Sequence, residues 1–239
     1  MVSPYKADWA EAERRLTALW QGERLERPCV SVIAPQRCEK PTPLPTVEKC
    51  EDIWLDPAYR VAATRHQLEN RWWGGEALPS ALQMAGWVMC LGGTPHFDDR
   101  TIWFEVEEAY FSRPSSFRHD PESIWTKGYE ELMMAVARDA GEGEYMVGSA
   151  CALPANDLLP MLRVVQYTPT PGEPPNGPAH LEMYRAIQAA GKIVHISLSQ
   201  IHFEQLIREL DPTLLMLDTW VGSVSEGEKL LEQCAAWMR

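Results

Sequence analysis

Positive charge is scarce in this chain: 22 Lys and Arg stand against 34 Asp and Glu, for a formal net charge of -12 and a pI near 5.0. That balance argues against a nucleic-acid partner, which requires a basic face to recover the free energy of counterion release. Long apolar runs are missing too. The longest nearly apolar stretch, 84–91, is far below the roughly 20 residues that cross a bilayer, so no membrane span is expected. Residues 1–15 hold early acids and no apolar segment, which predicts neither a secretory signal nor a transit peptide, and hence a cytoplasmic protein. The six cysteines, Cys29, Cys38, Cys50, Cys90, Cys151 and Cys234, include no CxxC pair and no His at finger-like spacing. They read as reduced thiols, mostly small core residues, and not as a structural zinc site. Phosphate loop, GxSxG elbow, HExxH and Rossmann fingerprint are all absent, as are low-complexity segments.

What is present is enough chain, 239 residues at 45% hydrophobic, for one sizeable core or two small ones. A first helix is predicted from Asp8, with Glu11 completing a capping box and Trp9, Ala12, Leu16, Leu19 and Trp20 sharing a face. A short strand at 29–33 and an irregular Pro-rich stretch at 35–45 follow. Asp56 before Pro57 predicts a second helix to about Asn70. A strand is expected at 102–106, then a helix from Asp120-Pro121 to Ala140, stopped by Gly141.

From Tyr145 the apolar runs 145–148, 164–167, 193–198 and 214–217 are continuous and not alternating, as in parallel strands covered on both faces. Helices are expected at 178–190, closed by Gly191, at 200–210, and from a capping box of Ser225 and Glu228 to Trp237. Successive βα units imply a parallel sheet with outer helices. The class is α/β.

The stretch 72–105 places Gly74, Gly75, Glu76 and Pro79 before Gly92, Gly93, Thr101 and Trp103. In that order it resembles bacterial members of the uroporphyrinogen decarboxylase superfamily, in which a Gly-Gly-Glu-x-x-Pro element precedes a Gly-rich run and a Thr-x-Trp strand. The segments 159–167, 168–178 and 187–192 are similar to the family's later strands and helices, so the resemblance spans most of the chain. It implies a (β/α)8 barrel forming a single domain over 1–239, with the 72–105 element in 1–144 and a βαβαβα part in 145–239. It also implies a small-molecule or tetrapyrrole-type ligand and, through the superfamily's methyltransferases, zinc or a corrinoid as cofactor. Barrels take roughly 250 residues. Where family members carry further βα units of roughly 30 residues each, this chain has only 149–163. The expectation is therefore a TIM-barrel-like α/β fold with a reduced strand count, a parallel sheet with outer helices and an N-terminal helical extension, its open edge covered by those helices or by a homo-oligomeric partner.

Barrel sites lie at the C-terminal ends of strands, and the candidates are taken there. The family's His-x-Cys or His-x-Asp element followed by Gly has no clear counterpart, so no metal ligand set is expected. His195-Ile196-Ser197 is the nearest pattern, and His195 reads either as a catalytic or ligating group or as a hydrogen-bonded strand histidine. Glu76, beside two glycines, is a carboxylate pointing into a site mouth or a surface residue at a turn. Asp218 ends the last strand as a general base, a pyrrole N–H acceptor, or a loop or helix-cap acceptor. Gln166 and Tyr167 precede the long loop 168–178 and are pocket-lining candidates, as is Trp220 beside Asp218. Trp103 belongs with Trp72, Trp73, Trp87 and Trp125 to a tryptophan-rich region that forms either a flat wall for a macrocycle or core packing. Glu105, Glu107 and Glu108 read as solvated. The decarboxylase's Arg-rich element is absent, Arg24, Arg27 and Arg37 being scattered and read as solvated, so corrinoid-linked methyl transfer is expected ahead of porphyrinogen decarboxylation. The alternatives are an inactive binding protein with a pocket at Glu76, Gln166 and Asp218, and an assembly protein that pairs through an exposed edge.

Overall fold

The structure, a computed structural model, describes residues 3–84, 90, 94–105, 119–150 and 163–238. Trp87, Gly92, Gly93, Val106, Glu107, Glu108 and Cys151 lie outside the described residues, as do 159–162 and most of the 149–163 connection. In chain order the elements are α1 (Trp9–Gln21), β1 (Cys29–Pro35), α2 (Cys50–Leu55), α3 (Pro57–Glu69), β2 (Arg71–Gly75), β3 (Ser80–Met84), β4 (Thr94–Phe97), β5 (Ile102–Glu105), α4 (Ile124–Asp139), β6 (Met146–Ala150), β7 (Val164–Gln166), α5 (Leu181–Ala189), β8 (Ile193–Ser197), α6 (Phe203–Glu209), β9 (Leu215–Trp220) and α7 (Val224–Trp237). They fall into two compact units. One comprises Met1–Arg37, Asn70–Pro79 and Pro154–Arg239, and the other Cys38–Glu69 and Ser80–Leu153.

The first unit is built on a five-stranded sheet in the order β2-β1-β9-β8-β7. Strands β1, β9, β8 and β7 run parallel, and β2 adds an antiparallel edge to β1. Side chains alternate between the two faces of each strand. Val30, Val32 and Ala34 of β1, Val194 and Ile196 of β8, and Leu215 and Leu217 of β9 point to one face. Over them pack Tyr184 of α5, Phe203, Leu206 and Ile207 of α6, and Leu230 and Cys234 of α7. Fully burying an aliphatic or Phe side chain of this kind is worth roughly 1.5–3 kcal/mol, and this face is the unit's main core. Among the described residues of this unit, the opposite face is covered at one end, where Leu16 and Leu19 of α1 meet Cys29, Val164, Ile193 and Met216.

The edge strand β2 explains the two adjacent glycines. A side chain at Gly74 would meet the Trp72 ring at 2.0 Å, and one at Gly75, whose φ is +58°, would meet the Val30 carbonyl oxygen at 2.2 Å. The Gly-Gly pair therefore serves close approach at the end of a strand. Beyond it Glu76 is 2% exposed. Its Oε1 accepts from Arg15 Nε at 2.5 Å and Arg27 Nη2 at 2.9 Å, and its Oε2 from Arg27 Nη1 at 2.7 Å and the Val30 amide at 2.6 Å. Arg27, expected to be solvated, is thus a buried partner. Burial works against its charge, but the bond and attraction to Glu76 prevail and raise its pKa above the ordinary value. Lys6 completes the arrangement by donating to the Trp73 and Gly75 carbonyls, each at 2.8 Å.

In the second unit β3 pairs parallel with β6, and β4 pairs antiparallel with β5. The strand expected at 102–106 is therefore one arm of a hairpin, turned by Asp98, whose Oδ1 accepts from the Arg100 and Thr101 amides at 2.7 Å. The strand expected at 145–148 pairs with β3 and not with the five-stranded sheet. Arg65 of α3 bonds Asp139 of α4 at 2.8 Å. Asp56 caps α3 as expected, accepting from the Tyr59 amide at 2.6 Å.

Other caps differ. Asp8 makes no side-chain cap and instead pairs with Lys6 at 3.0 Å, while Glu11 bonds Arg14. The C-terminal helix is capped by Ser223, which accepts from the Glu226 amide, two residues before the expected Ser225 and Glu228. Helix α4 starts at Ile124 under Ser123, not at Asp120. No helix among the described residues is long and apolar enough to cross a membrane.

Two outcomes are expected. Glu76→Gln removes the charge that two buried guanidinium groups share, so urea unfolding should show a loss of about 3 kcal/mol; unchanged stability would mean that the cluster does not hold the sheet edge. Burial pushes the thiols of both Cys29 and Cys234 up to about 12, leaving them protonated and unreactive at pH 8. Peptide mapping after mild treatment with a disulfide reagent should find exposed Cys50 modified and these two intact.

Candidate functional site

The sheet face opposite the main core becomes polar towards the C-terminal ends of its parallel strands. Gln166 ends β7 in register with His195 of β8, and Ser31 of β1 is in register with Asp218 of β9. Paired residues on parallel strands project to the same side, with neighbouring strands about 4.8 Å apart. Gln166, His195, Asp218 and Ser31 therefore form a staggered polar row on one side of four strands, stepping by two residues between His195, which is in register with Met216, and Asp218, which is in register with Ser197. At the first three of these positions a polar residue interrupts or ends an apolar run, which is why the helix-covered face stays apolar while this one does not.

His195 and Asp218 are in contact. His195 Nε2 lies 2.5 Å from Asp218 Oδ2, with the two side chains 19% and 29% exposed. A carboxylate only accepts, so Nε2 carries the proton in the neutral ring and Nδ1 presents its lone pair. The other carboxylate oxygen, Asp218 Oδ1, is buried with no hydrogen-bond partner among the described residues. Such an atom costs free energy unless a donor reaches it.

Two strand positions farther on, Trp220 is 57% exposed on the same side as Asp218. Above its ring, 4.7 Å from the centroid, sits the guanidinium of Arg71 at the start of β2. Desolvation alone lowers the Arg71 pKa, and no carboxylate among the described residues pairs with it. The stacking holds a cation at the rim of the polar row with its donors free for an anion.

The remaining candidates lie elsewhere. The Glu76 carboxylate is occupied by the four bonds described above, and its chemistry is that of an anchor for β2. The Tyr167 ring packs against the main core, its hydroxyl donates to Glu173 at 3.0 Å, and it meets His180 edge-on at 5.1 Å, so it secures the loop after β7. Asn176 fastens the same loop by donating to the Tyr167 and Ser197 carbonyls. Trp103 is in the second unit, stacked on His96 with centroids 5.5 Å apart. Two residues of the row and its rim, Ser31 and Arg71, were not singled out from sequence. A hydroxyl in the middle of Cys-Val-Ser-Val-Ile was a signal for the first; the cation–π contact of the second joins residues 149 positions apart and leaves none.

Among the described residues no group of three or more His, Cys, Asp or Glu is disposed to hold a metal ion. Comparison with family models, with curated proteins and with solved structures returns no match.

The ring assignment is checked by long-range nitrogen-proton correlation NMR. His195 should show the Nε2–H tautomer when neutral, and Asp218→Asn should erase that preference; a dominant Nδ1–H form in the wild type would reverse the assignment.

Proposed function

We propose that the protein is a uroporphyrinogen decarboxylase-like enzyme that binds a carboxylate-bearing small molecule on the polar sheet face and moves a proton to it through His195. The observation that carries this reading is the His195–Asp218 bond on the face opposite α5, α6 and α7. Two further features support it. The C-terminal strand β9 pairs parallel with the N-terminal strand β1, as the last and first strands of a (β/α)8 barrel do, and β7 and β8 follow in sequence beyond it. The polar row also lies towards the C-terminal ends of those strands, where barrel enzymes keep their chemistry. The departure is β2, which occupies the outer edge of β1 antiparallel, so the reading is of a barrel-derived sheet with a reduced strand count.

In this reading Arg71, held by Trp220, takes the ligand's carboxylate, and Ser31, Gln166 and Asp218 Oδ1 bond its polar groups. Asp218 orients the ring and stabilises it when doubly protonated. In a decarboxylation the C–C bond to the departing carboxylate breaks, its electron pair stays on the substrate carbon, and that carbon takes the proton from His195 Nδ1. The neutral ring then regains a proton from water. The zinc of the family's methyltransferases does not fit this donor set, since Nε2 of His195 is engaged by Asp218 and Ser31 and Gln166 are poor zinc ligands. No step is routed through a metal.

Absorbance titration with uroporphyrin and with hydroxocobalamin tests the proposal. Uroporphyrin, rich in carboxylates, is expected to shift its main band on binding. Arg71→Leu should weaken that binding about tenfold or more, as loss of a charged hydrogen bond does, and His195→Gln should leave it unchanged while abolishing turnover of uroporphyrinogen. A shift with hydroxocobalamin alone would move the reading to corrinoid-linked methyl transfer, and no shift with either would overturn it.

A further inference from the structure

The second unit contains a cation that pairs with no carboxylate among the described residues. Arg60, on α3, donates from Nε to Gln83 Oε1 at 3.0 Å and from Nη1 to the Ile53 carbonyl at 3.4 Å, near the limit of a hydrogen bond. Its guanidinium lies 5.8 Å from the centroid of the Trp54 ring, which is fixed by a bond from Nε1 to the Asp98 carbonyl at 2.7 Å. Both partners of the guanidinium are neutral. Desolvation lowers the Arg60 pKa, and no carboxylate among the described residues offsets it. In a chain with 34 acids that is an unusual economy: even Asp56, one helical turn before Arg60, spends its carboxylate on the Tyr59 amide.

The partner of Arg60 is itself incomplete. Gln83, on β3, is 1% exposed, and its Nε2 is buried with no hydrogen-bond partner among the described residues. Rotating the amide does not relieve this, because it would set an NH2 donor against the Arg60 Nε–H donor. Gln83 Nε2 and Oε1 share one carbon, so the orphan donor lies within an amide's width of the atom that binds Arg60. The shortfall at this place is therefore of acceptors only: N–H groups of Arg60 beyond the two used, and the NH2 of Gln83. A buried cation and a buried unpaired donor each cost free energy, and a single oxyanion would satisfy both.

We propose that Arg60 and Gln83 form a binding site for an oxyanion, a carboxylate or phosphoryl group, built entirely within the second unit. The guanidinium offers the paired N–H geometry that matches either group, Gln83 Nε2 supplies a further donor, and the Trp54 ring flanks the cation. This site is independent of the polar sheet face and stands or falls without it.

The 239-residue chain carrying Arg71→Leu, which removes the anion contact proposed on the sheet face, serves as the reference protein. Its melting temperature is followed against phosphate and against acetate, with chloride at matched ionic strength as the control. A saturable rise of about 5 °C at a hundredfold excess over Kd is expected with at least one of them. Phosphate alone would assign a phosphoryl ligand, and acetate a carboxylate. Added Gln83→Glu supplies the missing charge from within the chain, so it should raise the melting temperature in anion-free buffer and remove the response. Arg60→Met should remove the response as well. A rise no larger than chloride gives, or an equal response in the Gln83→Glu chain, would overturn the proposal.

Discussion

The carboxylate of Glu76 is the point on which the first unit turns. Four donors from three stretches of chain converge on it: Arg15 on α1, Arg27 in the loop after α1, and the Val30 amide in β1. A carboxylate at 2% exposure carries a large desolvation cost unless its oxygens are paired. Here two guanidinium groups meet it, and Arg15 is in turn held by Glu26 and by the Arg27 and Pro28 carbonyls. The cluster ties the helix that covers one end of the polar face to the strand pair at the sheet's edge. Gly75 can then lie against the Val30 carbonyl, and β2 takes the register that opposes Ser31 to Gly75 and Pro35 to Arg71. The position of Arg71 above Trp220 follows from that register.

The division of the sheet into two unlike faces follows from coverage. Helices α5, α6 and α7 all lie over one face, so every second residue of β1, β8 and β9 there is buried, and all but Thr219 are apolar. On the other face α1 reaches only as far as Cys29, Ile193 and Met216. One step along each strand from that contact the residues are Ser31, His195 and Asp218. Cys29 and Ile193 under α1 are buried, while Met216 beside them and Ser31, His195 and Asp218 beyond them are partly exposed. The same alternation that builds the core thus delivers the titratable pair to the uncovered face.

Local signals in the sequence were read well where they are local. Continuous apolar runs located β1, β7, β8 and β9, and Asp56-Pro57 located α3, because run length and cap chemistry are properties of neighbouring residues. Strand β2 was not legible. Trp72-Trp73-Gly74-Gly75 has the composition of a turn, and only the approach of Trp72 to Gly227 and of Gly75 to Val30 makes a strand with those glycines favourable. The capping error in α7 was of the same kind, since Ser223 and Ser225 each have an acid three residues on and nothing nearby distinguishes them. His195 and Asp218 were identifiable as strand-end polar residues, but their contact depends on β8 and β9 being neighbours. The role of Glu76 depends on a partner 61 residues away. Such pairings are set by topology, and no window of sequence contains them.

The distribution of acids among the arginines carries the last step. Arg14, Arg15, Arg27, Arg65, Arg185 and Arg208 each have a carboxylate within 4 Å, in environments from fully exposed to fully buried. A chain of net charge -12 can supply that many partners easily. Against this background the two arginines that meet aromatic rings stand apart. Arg71 lies over Trp220 and Arg60 over Trp54, and desolvation lowers the pKa of both. An aromatic face steadies a guanidinium without neutralising it, and it leaves the in-plane N–H groups directed outward. Paired arginines spend their donors on the fold. These two keep donors in reserve, and in the unit of each a side chain, the partly exposed Asp218 or the buried Gln83, retains a buried polar atom with no partner among the described residues. The incomplete atoms therefore have opposite character, an acceptor in the row that Arg71 rims and a donor beside Arg60. The first arrangement suits a ligand that brings both an acid and a hydrogen-bond donor, and the second suits an anion that only accepts.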